Sequence, residues 1–226
     1  MSTPLLEGKG LKKTYQVGNS PLTVMQGFSI AISRDEVVAI VGPSGTGKST
    51  LLYVLSGLEQ PDEGQVLLEG ADIYQLGDAK RSHLRATAFG FIFQSYNLIS
   101  SMTALENVEL PLRLTNVSQP VAKAKEMLQR VGLAERMHHR PGQLSGGEQQ
   151  RVSVARALAL NPRIIFADEP TGNLDYRTGR DVMDMIMKLV REQQAACLLV
   201  THNLEWAEIS DRVIDLHPEQ QVAGDA

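Results

Sequence analysis

One stretch constrains the fold of this chain more than any other: Gly42-Pro43-Ser44-Gly45-Thr46-Gly47-Lys48-Ser49. Its spacing, G-x-x-x-x-G-K-[ST], is that of a loop that cradles phosphate. Glycines permit a backbone path on which successive N–H groups turn inward, where they bind phosphate oxygens. A following helix adds the partial positive charge of its N-terminus. Lys48 is placed to bring a point charge to the β- and γ-phosphates of a nucleotide, and Ser49 a hydroxyl to Mg²⁺. The flanks agree with this reading. Val37-Val38-Ala39-Ile40-Val41 is a continuous apolar, β-branched run ending at a glycine, which suits a strand buried on both faces of a parallel sheet. Residues 50–55, from Thr50 onward, lead out of the loop as a helix. The plain alternative is a glycine turn that merely starts a helix, and the strand-loop-helix context weighs against it.

A loop of this kind needs an α/β scaffold, and the rest of the chain supplies the pattern for one. Residues 24–33 and 65–69 alternate in part between apolar and polar and are bounded by turn formers, so the early part reads as β-rich. Buried-strand runs recur at residues 164–167, 198–201 and 212–216. Helical periodicity appears at residues 121–131, with a proline just before as a start signal, at 146–160, and at 178–191. In the last of these Val182, Met185, Ile186 and Leu189 are expected on one face. The fold class is therefore α/β with a mainly parallel core sheet, an N-terminal antiparallel β subdomain and a helical insertion. The whole chain reads as a single domain, with residues 1–94 and 161–226 as core and β subdomain and residues 95–160 as the helical part. The polar tail at residues 220–226 reads as loose.

Residues 163–169 form an apolar strand that ends in two acids, Asp168 and Glu169. In a parallel sheet catalytic groups gather at the carboxyl ends of strands. Asp168 is thus placed to hold Mg²⁺, through water, and Glu169 to reach a water in line with the γ-phosphate as general base. Two acids after an apolar run are by themselves more often a solvated strand end. The phosphate loop on the same chain reverses that weighting.

Other features limit the function classes. The net charge of -4 gives no global electrostatic reason to bind nucleic acid or an anionic membrane surface. No segment approaches the length of apolar chain that spans a bilayer, and residues 1–13 lack the apolar stretch of a signal peptide. The lone Cys197 cannot make an internal disulfide and reads as core packing in a reducing compartment. Met183, Met185 and Met187 read as packing material, and His138-His139 as surface rather than a metal site, since no acid or cysteine of ligand spacing accompanies them.

Leu144-Ser145-Gly146-Gly147-Glu148-Gln149-Gln150-Arg151 resembles the signature motif of ATP-binding cassette (ABC) ATPases. Locally it is a serine and two glycines opening a helix, a second surface for phosphate. Other elements of that family follow in order. Gln94, after the run Gly90-Phe91-Ile92-Phe93, matches the glutamine that touches Mg²⁺ and the attacking water. Thr171-Gly172-Asn173-Leu174-Asp175 matches the loop that crosses the dimer interface. His202 matches the histidine near the γ-phosphate, and Tyr15 the aromatic that stacks on adenine. Taken alone, such a glutamine, histidine or tyrosine is usually a loop, surface or packing residue. Pro170 to Asp175 together with Thr103-Ala104-Leu105-Glu106-Asn107-Val108-Glu109-Leu110-Pro111-Leu112 narrow the resemblance to the lipoprotein-releasing, macrolide-exporting and cell-division ATPases of bacteria. Two departures stand out: Asn203 follows His202 where the family often has Asp, and His217-Pro218-Glu219 replaces an expected turn glycine.

The resemblance implies an ATP hydrolase that works with separate transmembrane permease subunits and meets the membrane only through them, on the cytoplasmic face of the inner membrane. It implies a head-to-tail dimer of two copies around two Mg·ATP, with Ser145, Gly146 and Gly147 of each copy facing the nucleotide of the other. Mg²⁺ is the implied cofactor, held by Ser49, Gln94 and Asp168, and no nucleic acid is implied. The other readings are an ATPase that gates a membrane signalling or cell-division complex without moving a substrate, and a stand-alone ABC ATPase acting on a soluble assembly.

Overall fold

A computed structural model describes residues 3–18 and 20–216. The elements in chain order are β1 (Leu6–Val17), β2 (Ser20–Ile32), β3 (Val37–Val41), α1 (Lys48–Leu55), β4 (Glu63–Leu68), β5 (Ala71–Asp72), α2 (Asp78–Ala88), β6 (Phe89–Phe93), α3 (Ala104–Leu114), α4 (Pro120–Arg130), α5 (Gly146–Leu158), β7 (Ile164–Asp168), α6 (Tyr176–Glu192), β8 (Ala196–Val200), α7 (Leu204–Glu208) and β9 (Arg212–Asp215). The chain divides into two compact units, residues 1–85 with 196–226, and residues 86–195. Strand alternating with helix, parallel pairing in both units and a four-stranded antiparallel sheet near the N-terminus make this an α/β fold of the expected class. The expected helical stretch, residues 95–160, lies within the second unit.

In the first unit the antiparallel sheet has the order β2-β1-β4-β5. Strand β1 pairs with both β2 and β4. It carries register shifts near Gly8 to Thr14, and such irregularities let a long strand twist and bend. Beside this sheet lie three parallel strands in which β3 is central, paired with β8 on one side and β9 on the other. All five residues of β3 and all five of β8 are buried, Cys197 among them. That is what continuous apolar runs should do when both faces of a sheet are covered.

The second unit contains the parallel pair β6-β7 and most of the helices. Phe89, Phe91 and Phe166 meet across this pair in edge and stacked contacts, which adds to the area they bury. Helix α4 begins with Pro120 at its first turn, where a missing N–H costs nothing. On α6 the buried stripe is Gly179, Val182, Met183, Ile186, Leu189 and Val190. Met185, expected inside, is only half-buried, and Met183 takes its place. Both positions lie within the apolar arc, and the helix rotation that buries Gly179 and Met183 decides between them.

Helix α2 carries little apolar surface, burying only Ala88, and its polar sequence gives no core stripe from which to read a helix. The tail at residues 217–226, including His217, Pro218 and Glu219, lies outside the described residues. Among the described residues no helix is long and apolar enough to cross a membrane.

Candidate nucleotide site

In the first unit β3 delivers the chain into the glycine loop, and α1 starts at Lys48. The loop closes on itself. Thr46 donates through its backbone and its hydroxyl to the Pro43 carbonyl. Lys48 Nζ donates to the carbonyls of Gly42 at 2.8 Å and Pro43 at 2.7 Å. Lys48 is buried, so these carbonyls hold its charge at the loop centre, where phosphate oxygens are stronger partners for an ammonium. Gly47 caps α1 in a left-handed conformation, φ 87°. A Cβ there would lie 2.7 Å from the Val24 carbonyl oxygen of β2, so both backbone angle and space require glycine. Pro43, Ser44 and Gly45 are exposed at the loop's outer edge, Gly42 is buried, and Ser49 and Thr50 open the helix half-buried.

Two further sequence-identified residues converge on this loop within the same unit. Strands β3 and β8 are parallel and in register from Val37 to Ile40, with Val200 opposite Ile40. Thr201 donates its N–H to the Ile40 carbonyl at 3.1 Å. His202 therefore leaves β8 at the same sheet edge from which the loop leaves β3, and it is exposed there. Asn203, which departs from the family pattern, caps α7 by accepting the Glu205 N–H at 2.9 Å. Asn serves as well as Asp in that position, which explains the substitution physically. Tyr15, near the end of β1, reaches α1: its hydroxyl lies 3.4 Å from that of Thr50 and donates to Glu59 at 2.7 Å.

The second unit carries the acids and the signature segment. Strands β6 and β7 are parallel with Phe93 opposite Asp168. Gln94 and Glu169, each one residue further on, thus emerge side by side at one strand end. Gln94 and Asn173 tie this end together reciprocally, Gln94 Nε2 donating to Asn173 Oδ1 at 3.1 Å and Asn173 Nδ2 to the Gln94 carbonyl at 3.0 Å. Asp168 is buried. Glu169 is half-buried and left-handed, φ 47°, a conformation that a non-glycine residue adopts at a cost of about 1 kcal/mol or more. Such strain concentrates at sites that must aim a side chain. Buried Gln150 of α5 donates to the Pro170 carbonyl at 2.6 Å and pins the segment that follows Glu169.

Helix α5 starts with a capping box. Ser145 Oγ accepts the Glu148 N–H at 3.3 Å, and Glu148 returns a bond to the Ser145 N–H at 2.8 Å. That backbone hydrogen bond from Ser145 holds the Glu148 carboxyl below its ordinary pKa. Gly147 packs tightly against α6, where a Cβ would meet Thr178 Cγ2 at 2.5 Å. Arg156 of α5 donates to the carbonyls of Tyr96 at 2.8 Å and Asn97 at 2.6 Å. Both of those residues are left-handed in the turn after Gln94. Arg156 and Glu59 are supporting residues that motif reading missed, and Gln150 lay in the signature segment with no role assigned, because their partners lie 20 to 60 positions away with no spacing to announce them.

A glycine loop closing around a lysine, and a serine-capped glycine helix behind a strand that ends Asp-Glu, are the marks of one family. The family model described as ABC transporter matches residues 25–172. This chain belongs to the ABC transporter family. The ABC assignment extends over nearly the whole chain. A lipoprotein-releasing system ATP-binding protein, LolD 2 of Rhodopseudomonas palustris, is 46% identical over 94% of this chain and 93% of its own length. An uncharacterized ABC transporter ATP-binding protein of Thermotoga maritima is 48% identical over 87% of this chain and 84% of its own. Among solved structures, the dimeric bacterial ABC transporter cassette MJ0796 superposes with a TM-score of 0.87 at 40% identity, covering 94% of both chains. The same cassette in a post-hydrolysis state bound to ADP and Pi gives 0.86. The chain is thus an ABC ATPase and the ATP-binding subunit of a transporter, and its relatives include the lipoprotein-releasing ATPases.

The donors proposed for Mg²⁺ suit that ion by their chemistry. Ser49 offers a hydroxyl and Asp168 a carboxylate, both hard oxygen ligands. Gln94 donates its amide nitrogen to Asn173, and its amide oxygen is likewise a hard donor. Among the described residues no cluster of three or more His, Cys, Asp or Glu has the form of a metal site.

Proposed function

We propose that this ABC ATPase drives separate membrane subunits by closing as a pair of copies around two Mg·ATP, and that the work performed is lipoprotein release or export. The loop that holds Lys48 at the end of β3 carries this reading, because it presents a preformed cation and backbone N–H groups to a triphosphate. The signature helix supports the paired form: Ser145, Gly146 and Gly147 open α5 with its N-terminus available to an anion from the other copy. The dimeric cassette MJ0796 and the lipoprotein-releasing relatives support the pairing and the task. Membrane contact is through the partner subunits, on the cytoplasmic face of the inner membrane, with no nucleic acid involved.

Phosphoryl transfer needs alignment and charge neutralisation more than covalent help. Residues 42–50 and Lys48 fix the phosphates, Tyr15 stacks on the adenine, and Ser145 with Gly147 of the second copy close over the γ-phosphate. Ser49, Asp168 and Gln94 would hold Mg²⁺, which would supply charge neutralisation for the triphosphate. Glu169 takes the proton of the attacking water as its oxygen bonds to the γ-phosphorus and the bond to the bridging oxygen breaks to release ADP, and His202 and Gln94 orient the water and the γ-phosphate. Hydrolysis removes the bridging phosphate and the pair reopens.

Wild type and Glu169→Gln are to be mixed with Mg·ATP, with phosphate release and oligomeric mass followed together. The expected outcome is an ATP-dependent doubling of mass in the variant, with turnover reduced by about 10²- to 10⁴-fold. Turnover at the wild-type rate would remove Glu169 from the role of base. A variant that binds ATP but stays monomeric, alone and with its membrane partner, would remove the paired form.

A further inference from the structure

Tyr15 is held by a side-chain cluster built from Glu59 and Lys13. Its hydroxyl donates to Glu59 Oε2 at 2.7 Å. The other oxygen of that carboxylate, Oε1, is 3.1 Å from Lys13 Nζ. Lys13 also donates to the Gln60 carbonyl at 2.8 Å, lies 3.6 Å from Asp62, and stands over the Tyr15 ring at 5.6 Å from its centroid. The backbone of Glu59 is fixed in turn. Its N–H donates to the Tyr53 carbonyl at 3.1 Å, and its carbonyl accepts from the Tyr74 hydroxyl. Glu59 is therefore a rigid acceptor on the segment after α1, not a mobile surface acid.

We propose that Glu59, braced by Lys13, is a positioning residue that orients the Tyr15 ring for the base of the bound nucleotide. The inference rests on Tyr15 being the adenine platform. A ring fixed only at its Cβ can swing about two torsions, and stacking must stop that motion at an entropic cost. A hydrogen bond at the far end of the ring stops it before the base arrives. Burial, with the Glu59 hydrogen bond and charge adding to it, raises the phenol pKa above its ordinary value, so the hydroxyl stays a donor across the working pH range. Lys13 stands over one ring face, so a stacked purine would take the other. The contact with Thr50 links the ring to the helix that begins with Lys48 and Ser49. Base and phosphates are thereby set in one frame.

The test uses the full chain and two probes, Mg·ATP and inorganic tripolyphosphate, which has no base to stack. Tyr15→Phe keeps the ring and removes the hydroxyl; Glu59→Ala removes its acceptor. Each is expected to weaken ATP binding about three- to tenfold while leaving tripolyphosphate binding unchanged. The double variant should be no weaker than either single one, since both remove the same bond. Glu59→Gln, which can still accept, should recover most of the affinity. Glu59→Ala that binds ATP like wild type, effects that simply add, or an equal loss for tripolyphosphate would each overturn the proposal. If Glu59→Ala does not fold, Tyr15→Phe and Glu59→Gln decide the matter alone. Tyr15→Ala separates the underlying reading: wild-type ATP affinity there would mean that the ring is not the platform at all.

Discussion

At single residues, the structure distinguishes glycines that shape a ligand surface from glycines that let helices approach. Gly47 is the first kind. Any side chain there faces a left-handed backbone and the Val24 carbonyl at 2.7 Å. Gly47→Ala is expected to cost about 1–3 kcal/mol of strain and to impair ATP binding at the same time, seen together in melting temperature and in ATP titration. Gly147, set over the γ-phosphate in the proposed pair, is also of the second kind, and its packing role is separable by rescue. Gly147→Ala should lower stability by about 1–3 kcal/mol through the clash with Thr178 Cγ2. Thr178→Ser in the same chain removes that methyl and should restore much of the loss in a denaturant titration. A Gly147→Ala loss that Thr178→Ser leaves untouched would mean that the clash is not its cause.

At the scale of elements, three helices of the second unit start from carboxylate-assisted caps. Thr103 and Glu106 form a capping box on α3, Ser145 and Glu148 one on α5, and Asp175 caps α6 by accepting the Thr178 N–H at 3.1 Å. All three carboxyls lie below their ordinary pKa values, Glu106 through the Thr103 N–H, Glu148 through the Ser145 N–H and Asp175 through the hydroxyl and N–H of Thr178. A depressed folded-state pKa means stability that is complete above the unfolded value and is lost as pH falls through the folded one. Helix content followed by circular dichroism should therefore fall as pH drops below about 4, and Glu106→Gln, Glu148→Gln and Asp175→Asn combined should flatten that fall. Thr103→Ala removes one cap at a residue with no proposed nucleotide contact. It should cost about 1 kcal/mol in thermal unfolding with ATP affinity unchanged.

For the whole molecule, nucleotide binding is the property that links the loop to global stability. A ligand that binds only the folded state at about 100 times its Kd adds roughly 2.7 kcal/mol. Mg·ATP should raise the melting temperature of wild type accordingly, and Lys48→Ala should abolish the shift, since its ammonium is the charge held at the loop centre. An undiminished shift in Lys48→Ala would place the ATP elsewhere. The same experiment on Glu169→Gln should show a full shift, because that residue is assigned to turnover and not to binding.

Sequence alone determined what depends on local chemistry. The phosphate loop, the buried runs of β3, β7 and β8, and the cap that starts α5 are all set by neighbours a few positions away, and each was legible as a motif or a period. Asp168 and Glu169 were read as candidates because they end such a run on a chain with a phosphate loop, and Gln94 through the family resemblance. Tertiary structure decided what depends on register and on distant partners. The pairing of β3 with β8 sets His202 beside the loop, the rotation of α6 buries Met183 in preference to Met185, and Glu169 takes a left-handed backbone. Glu59 and Arg156 hold functional segments from 44 and 60 positions away. The physical reason is one of range: backbone propensity and hydrophobic period act over a few residues, whereas a hydrogen bond closing across the fold leaves no periodic trace in the chain.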